Sequence, residues 1–152
     1  MQNENNPVAT MNDCEIVSTR IFNASPQALF NAWQDPQLLK QWWGPNGFTN
    51  TFHQFNFEPK GCWDFTMHAP DGTDYYNEIV FQEIIQFSRI VFKHIEPHHT
   101  FTGTIILEPM EDKTHYTFSM VFESATECEN VKAIIIPANE ENFDRLANVL
   151  AK

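Results

Sequence analysis

Between Phe48 and Glu123 the chain reads almost wholly as short strands separated by tight turns, and a single amphipathic stretch then closes it. That order constrains the fold more than any other feature. Glu58-Pro59-Lys60-Gly61 and Ala69-Pro70-Asp71-Gly72 each place Pro second and Gly fourth, the arrangement favoured in type I turns. They divide strands expected at 49–57, 62–68 and 75–85, and three more are expected at 89–95, 101–107 and 115–122. Residues 14–23 (CEIVSTRIFN) alternate and carry β-branched side chains, which predicts a first strand. Connections this short join antiparallel neighbours, so about seven strands should form one antiparallel sheet.

Helix start signals stand on either side of that region. Ser25-Pro26 predicts an N-cap with Pro at the first helical position, and Leu29, Phe30 and Trp33 give the helix an apolar face. Asp35-Pro36 repeats the signal for a second short helix with Leu38, Leu39 and Trp42 inward, ended by Gly44-Pro45-Asn46-Gly47. Ser124-Ala125-Thr126-Glu127 matches a capping box. The helix it opens is expected to break or restart at Pro137, and it ends on a stripe of Phe143, Leu146, Ala147 and Leu150. The fold class expected is α+β, in the order β-α-α-β6-α, with a strongly curved sheet covered on one face by the long C-terminal helix. Where helix and concave sheet part, a cavity remains. Residues 1–7 (MQNENNP) read as a disordered tail and 8–152 as one domain.

Composition removes several function classes. Nine Lys and Arg stand against twenty Asp and Glu, a net charge of −11, and no basic run is present, so nucleic acid and anionic membrane surfaces are not expected partners. No apolar run is long enough to span a bilayer, and no signal-peptide pattern opens the chain. Cys14, Cys62 and Cys128 are odd in number, widely spaced and without CxxC, which reads as reduced thiols in a cytoplasmic protein.

Catalytic and metal signatures are weak. His53, His68, His94, His98, His99 and His115 show no HExxH or comparable spacing, so no metal is expected. There is no GxSxG elbow and no phosphate-binding glycine loop, which leaves no expected cofactor and makes an enzyme the less favoured reading. Glu83 and Arg89 flank an expected hairpin turn. As a cross-strand ion pair they would contribute only about 0.2–1 kcal/mol; buried at a cavity mouth, the same pair would orient a polar ligand head. The strongest remaining signal is aromatic. Trp33, Trp42, Trp43, Phe48, Trp63, Phe65, Met67, Phe118, Met120 and Phe143 are expected between sheet and helix, with Tyr76, Arg89 or a histidine as a candidate polar anchor.

Three segments, IFNASPQALFNAWQDPQLLKQWWGPNGFT, FEPKGCWDFTMHAPDGTDYYNEIVFQEI and FDRLANVL, resemble the heat-shock-protein-90 ATPase activator homologue family. Trp42-Trp43-Gly44-Pro45 followed by Gly47-Phe48 is the most specific part, and the resemblance runs from about Cys14 onward. It implies the START-like, Bet v 1-like (SRPBCC) helix-grip fold, and an acidic and a basic residue near the positions of Glu83 and Arg89. It also implies a choice among functions, since relatives bind lipids, hormones or polyketides, some are cyclases or hydrolases, and the eukaryotic namesakes stimulate a chaperone. Those activators carry a further N-terminal domain for which 152 residues leave no room. The expected function is non-enzymatic binding of a small apolar molecule, lipid or aromatic, between sheet and helix. The alternatives are a co-chaperone-like module with a protein partner, and a cyclase- or hydrolase-type enzyme.

Overall fold

The computed structural model describes residues 14–96 and 100–152. The expectations for the 1–7 tail and for His98 and His99 lie outside the described residues. The elements follow as β1 (Cys14–Phe22), α1 (Pro26–Gln34), α2 (Pro36–Trp42), β2 (Thr49–Phe55), β3 (Cys62–His68), β4 (Asp74–Ile85), β5 (Arg89–Glu96), β6 (Phe101–Met110), β7 (Lys113–Phe122) and α3 (Ala125–Leu150). The strands form one antiparallel sheet in the order β1-β7-β6-β5-β4-β3-β2. Its register shifts in β2 between Phe52 and Gln54, and in the β4–β5 pairing at Glu78/Ile79, where β5 carries the extra residue, and at Phe81/Glu83, where β4 does. An extra residue on one strand bends it and increases its twist, so the sheet curls around α3.

Period-two alternation sorts the side chains. Tyr116, Phe118, Met120 and Phe122 of β7, Trp63 and Phe65 of β3, and Ile90 and Phe92 of β5 are all buried on the concave face. Gly103 of β6 lies opposite Phe92, and a Cβ on it would sit 2.4 Å from the phenyl Cζ. The missing side chain therefore lets the Phe92 ring lie across the neighbouring strand. α2 packs against β2 and α3, and α1 against α3 and β6, with Leu29, Phe30, Ala32, Trp33, Leu39 and Trp42 buried. Trp33 is the hub of this packing, edge-to-face with Trp42, Trp43 and Trp63 at centroid distances of 5.4, 5.3 and 6.1 Å. Its Nε1 donates to the Tyr116 hydroxyl at 3.0 Å. Burial of that phenol pushes its pKa up, so it stays neutral and serves as the acceptor.

The three caps form as their sequences predict. Ser25 Oγ accepts from Ala28 N at 3.2 Å, Asp35 Oδ1 from Gln37 N at 2.9 Å, and Ser124 Oγ from Glu127 N at 3.1 Å. The C-terminal stripe is inward, with Phe143 and Leu146 buried and Ala147 and Leu150 packed against the core. Arg20 on β1 ties the sheet to α3, donating to Asp144 Oδ1 at 2.7 Å and Glu140 Oε1 at 2.9 Å. Partial burial pulls its pKa down, but the hydrogen bonds and charges of Asp144 and Glu140 outweigh that and hold it above the ordinary value.

Three expectations need correction. The last helix does not break at Pro137, which lies inside the continuous α3. Proline removes one ladder bond there, and the buried anchors on both sides, Cys128 before it and Phe143 and Leu146 after it, carry the helix through. The 58–61 turn is not type I, because Lys60 adopts φ 71°, the left-handed third position that a type II turn requires. The 69–72 turn keeps Pro70 and Asp71 out of the left-handed region and places it at Gly72, φ 93°, a type I turn followed by a left-handed glycine. Finally, Cys128 is disulfide-bonded, so the cysteines are not all reduced thiols; Cys62 is free. Sequence spacing did not expose this because cysteines remote along the chain meet only through the fold. Among the described residues no helix is long and apolar enough to cross a membrane.

Candidate binding cleft

α3 and the curved sheet do not meet everywhere, and a cleft of about 610 Å³ remains between them. Its sheet wall is Phe65 and Met67 of β3, Tyr75 and Asn77 of β4, His94 of β5, Phe101 of β6, and Phe118 and Met120 of β7. The opposite wall is one face of α3, formed by Ile134, Ile135, Ala138, Asn139 and Asn142. Trp43, Gly44, Pro45 and Phe48 form the rim.

The rim is held by α3. Arg145 Nη1 donates to the carbonyls of Trp43, Gly44 and Pro45 at 3.1, 3.0 and 2.9 Å, and Nη2 to those of Gln41 and Phe48 at 2.8 and 3.0 Å. The planar fork of a guanidinium suits this many convergent acceptors. Desolvation by burial lowers its pKa, yet a guanidinium titrates so far above neutrality that it keeps its charge. Asn142 Oδ1 accepts from Gly44 N and Glu141 Oε1 from Asn46 N, each at 3.0 Å. The turn that Gly44 and Gly47 make possible, with φ 101° and 86°, is therefore fixed to one helix face.

Polar side chains lining the cleft are few: Tyr75, Asn77, His94, Asn139 and Asn142. Asn77 Nδ2 donates to the Tyr75 carbonyl at 3.0 Å, which orients the amide and leaves Oδ1 facing His94 Nε2 at 2.7 Å. His94 therefore carries its hydrogen on Nε2, and its ring stacks on Phe101 with centroids 5.1 Å apart. Asn139 Nδ2 donates to Ser18 Oγ at 3.2 Å and approaches Met120 Sδ at 3.6 Å.

Six members of the sequence-derived set line the cleft: Trp43, Phe48, Phe65, Met67, Phe118 and Met120. Trp33, Trp42, Trp63 and Phe143 are fully buried core instead, packed behind the wall. Tyr76 is on the opposite face of β4, exposed beside the His53 ring at 6.1 Å, and Tyr75 occupies the lining position. The signal was present, since Tyr75 shares parity with Asn77, Ile79 and Phe81, the buried run of β4. Asn77, Asn139 and Asn142 were missed because polar residues on an element read as its wet face. Arg89 does not line the cleft; its Nη1 lies 3.8 Å from Glu83 Oε1, with both side chains about half exposed. Glu83→Gln and Arg89→Met are expected to shift stability by less than about 1 kcal/mol each, as exposed pairs do. Urea midpoints check this, and a loss above about 3 kcal/mol restored in the double variant would mean a desolvated pair. Among the described residues no cluster of three or more His, Cys, Asp or Glu is arranged to hold a metal ion.

Comparison with known proteins gives the same fold. A crystal structure of a Nitrosomonas europaea protein superposes with TM-score 0.83 at 18% identity, covering 90% of this chain and 94% of that one. A solution structure from Arthrobacter aurescens gives TM-score 0.83 at 24% identity, covering 96% and 90%. The AHSA1 protein of Silicibacter pomeroyi gives TM-score 0.75 at 20% identity, covering 91% and 98%. No curated protein matches the chain. The model of the family described as "Activator of Hsp90 ATPase homolog 1-like protein" matches residues 23–151, and the chain belongs to that family.

Proposed function

We propose that the protein binds a small apolar molecule in the cleft between α3 and the sheet, without transforming it. The observation that carries this reading is a cleft of about 610 Å³ lined by Trp43, Phe48, Phe65, Met67 and Phe118. Ligand sites are concave, mostly apolar and of roughly 300–1,000 Å³. Burying about 150 Å² of an aromatic ligand would supply about 4 kcal/mol before ordering costs, so useful affinity also needs a polar anchor.

The test is a titration with fatty acids, flavonoids and sterols, followed by tryptophan emission and melting temperature. At least one class is expected to quench or shift emission saturably, because Trp43 stands at the rim, and to raise the melting temperature, because binding only the folded state stabilises it. If no class moves either signal, the reading fails. A co-chaperone-like interaction module would then take its place. That second reading draws on Ile134, a cleft-lining residue of α3 that is 70% exposed, and on the chaperone activation in the family's description.

A further inference from the structure

Resting on the binding reading above, we infer that the cleft selects a neutral molecule carrying a hydrogen-bonding hydroxyl or amide on its apolar body, read by Asn139 and Asn142, and discriminates against carboxylates.

Two asparagines on the apolar wall of a cleft are unusual, since buried amides are costly unless paired. Asn139 and Asn142 are only 8% and 6% exposed, and both line the cleft. Spaced i, i+3 on α3, they are neighbours on one helix face. Each spends one half of its amide on the protein. A backbone N–H can only donate, so the bond from Gly44 N fixes which end of the Asn142 amide is Oδ1. Its NH₂ therefore points elsewhere, and among the described residues it has no protein acceptor. Asn139 spends its NH₂ on Ser18 Oγ and Met120 Sδ, and its Oδ1 has no protein donor among the described residues. Neither atom is among the sealed-off polar atoms without a partner, which are Asn50 Oδ1 and Trp63 Nε1. Both free ends therefore reach accessible space at the cleft. One turn of helix thus offers the ligand a donor from Asn142 and an acceptor from Asn139, each held in orientation by its other end.

That pair is complementary to a group that both accepts and donates, such as a hydroxyl or a primary carboxamide. It does not suit a carboxylate, which only accepts and would meet Asn139 Oδ1 as a second acceptor. The electrostatics agree. No Lys or Arg lines the cleft, the nearby Arg145 spends its guanidinium on five rim carbonyls, and the chain carries −11 overall. An anion entering this site would lose its hydration without meeting a Lys or Arg, and the Nε2 hydrogen of His94 is already spent on Asn77 Oδ1.

The test compares four probes on one ring system by isothermal titration calorimetry: naphthalene-2-carboxamide, 2-naphthol, 2-naphthoate and naphthalene. The carboxamide and the naphthol are expected to bind at least about tenfold tighter than the naphthoate, the difference that one good hydrogen bond makes. Asn142→Leu and Asn139→Leu are each expected to shrink that advantage, read as the ratio of carboxamide to naphthoate affinity within the same variant, with far-UV circular dichroism reporting that each variant is folded. Naphthoate binding as tightly as the carboxamide, or an undiminished preference in both variants, would overturn the inference and leave the cleft as an apolar site. If none of the four probes binds, while the fatty acids, flavonoids and sterols also fail, it is the binding reading itself that falls.

Discussion

Arg145→Met should lower the free energy of unfolding by about 3 kcal/mol, since charged hydrogen bonds contribute about 1.5–3 kcal/mol each and the partly buried acceptors left unmet add a further penalty. The side chain serves five carbonyls, from Gln41, Trp43, Gly44, Pro45 and Phe48, within one loop. Methionine keeps much of the aliphatic stem and none of the donors. Arg145→Lys should recover only part of the loss, because an ammonium offers three donors around one point and the loop presents carbonyls across a plane. Urea unfolding of the three proteins settles it, and a lysine variant as stable as the arginine protein would show that charge alone, not the fork, holds the rim. The same loop frames the cleft, so the methionine variant should also weaken binding of whatever apolar probe proves active in titration.

Gly103→Val is the second large effect, expected at about 3 kcal/mol, the upper part of the range for overpacking a filled core. A Cβ at this position would lie 2.4 to 2.8 Å from three atoms of the Phe92 ring. That ring has nowhere to go, because it also meets Trp33, Trp43, Phe101 and Phe118 at centroid distances of 6.1 to 6.5 Å. If the cost arises from this clash, Phe92→Ala should cost about 3–5 kcal/mol alone by opening a cavity, and much less in the Gly103→Val background, where valine occupies the vacated space. Additive losses in the double-mutant cycle would place the cost of valine elsewhere in β6.

The close fit of Gly103 to the Phe92 ring also marks the boundary between what local sequence encodes and what assembly decides. Strand and helix positions were legible because they follow from short-range chemistry. Alternation of apolar residues marks β3 and β7, Ser25-Pro26 and Asp35-Pro36 mark the short helices, and Ser124 with Glu127 marks the start of α3. Boundaries slipped by a few residues where turn and strand residues share chemistry. The continuation of α3 through Pro137 was not legible, since the packing that overrides a helix breaker is remote in sequence.

The cleft lies on the far side of that boundary. Sequence alone determined that aromatic side chains on β3, β7 and the 42–48 segment face α3, because parity and spacing fix a side chain's direction within its own element. Only the tertiary structure decided which of them fill the core and which are left as wall. Trp33, Trp42, Trp63 and Phe143 differ from Trp43, Phe48 and Phe65 not in residue type but in whether a neighbour from another element occupies the adjoining space. The same holds for the polar groups. Nothing local distinguishes Asn139 and Asn142 from solvated helix residues, and they become buried amides with one end each turned to the cleft because β1 supplies Ser18, the rim supplies Gly44 N–H, and the curved sheet closes over that face of α3. Direction is a property of the strand or helix, whereas burial and empty volume belong to the assembled set, and no single stretch of chain contains them.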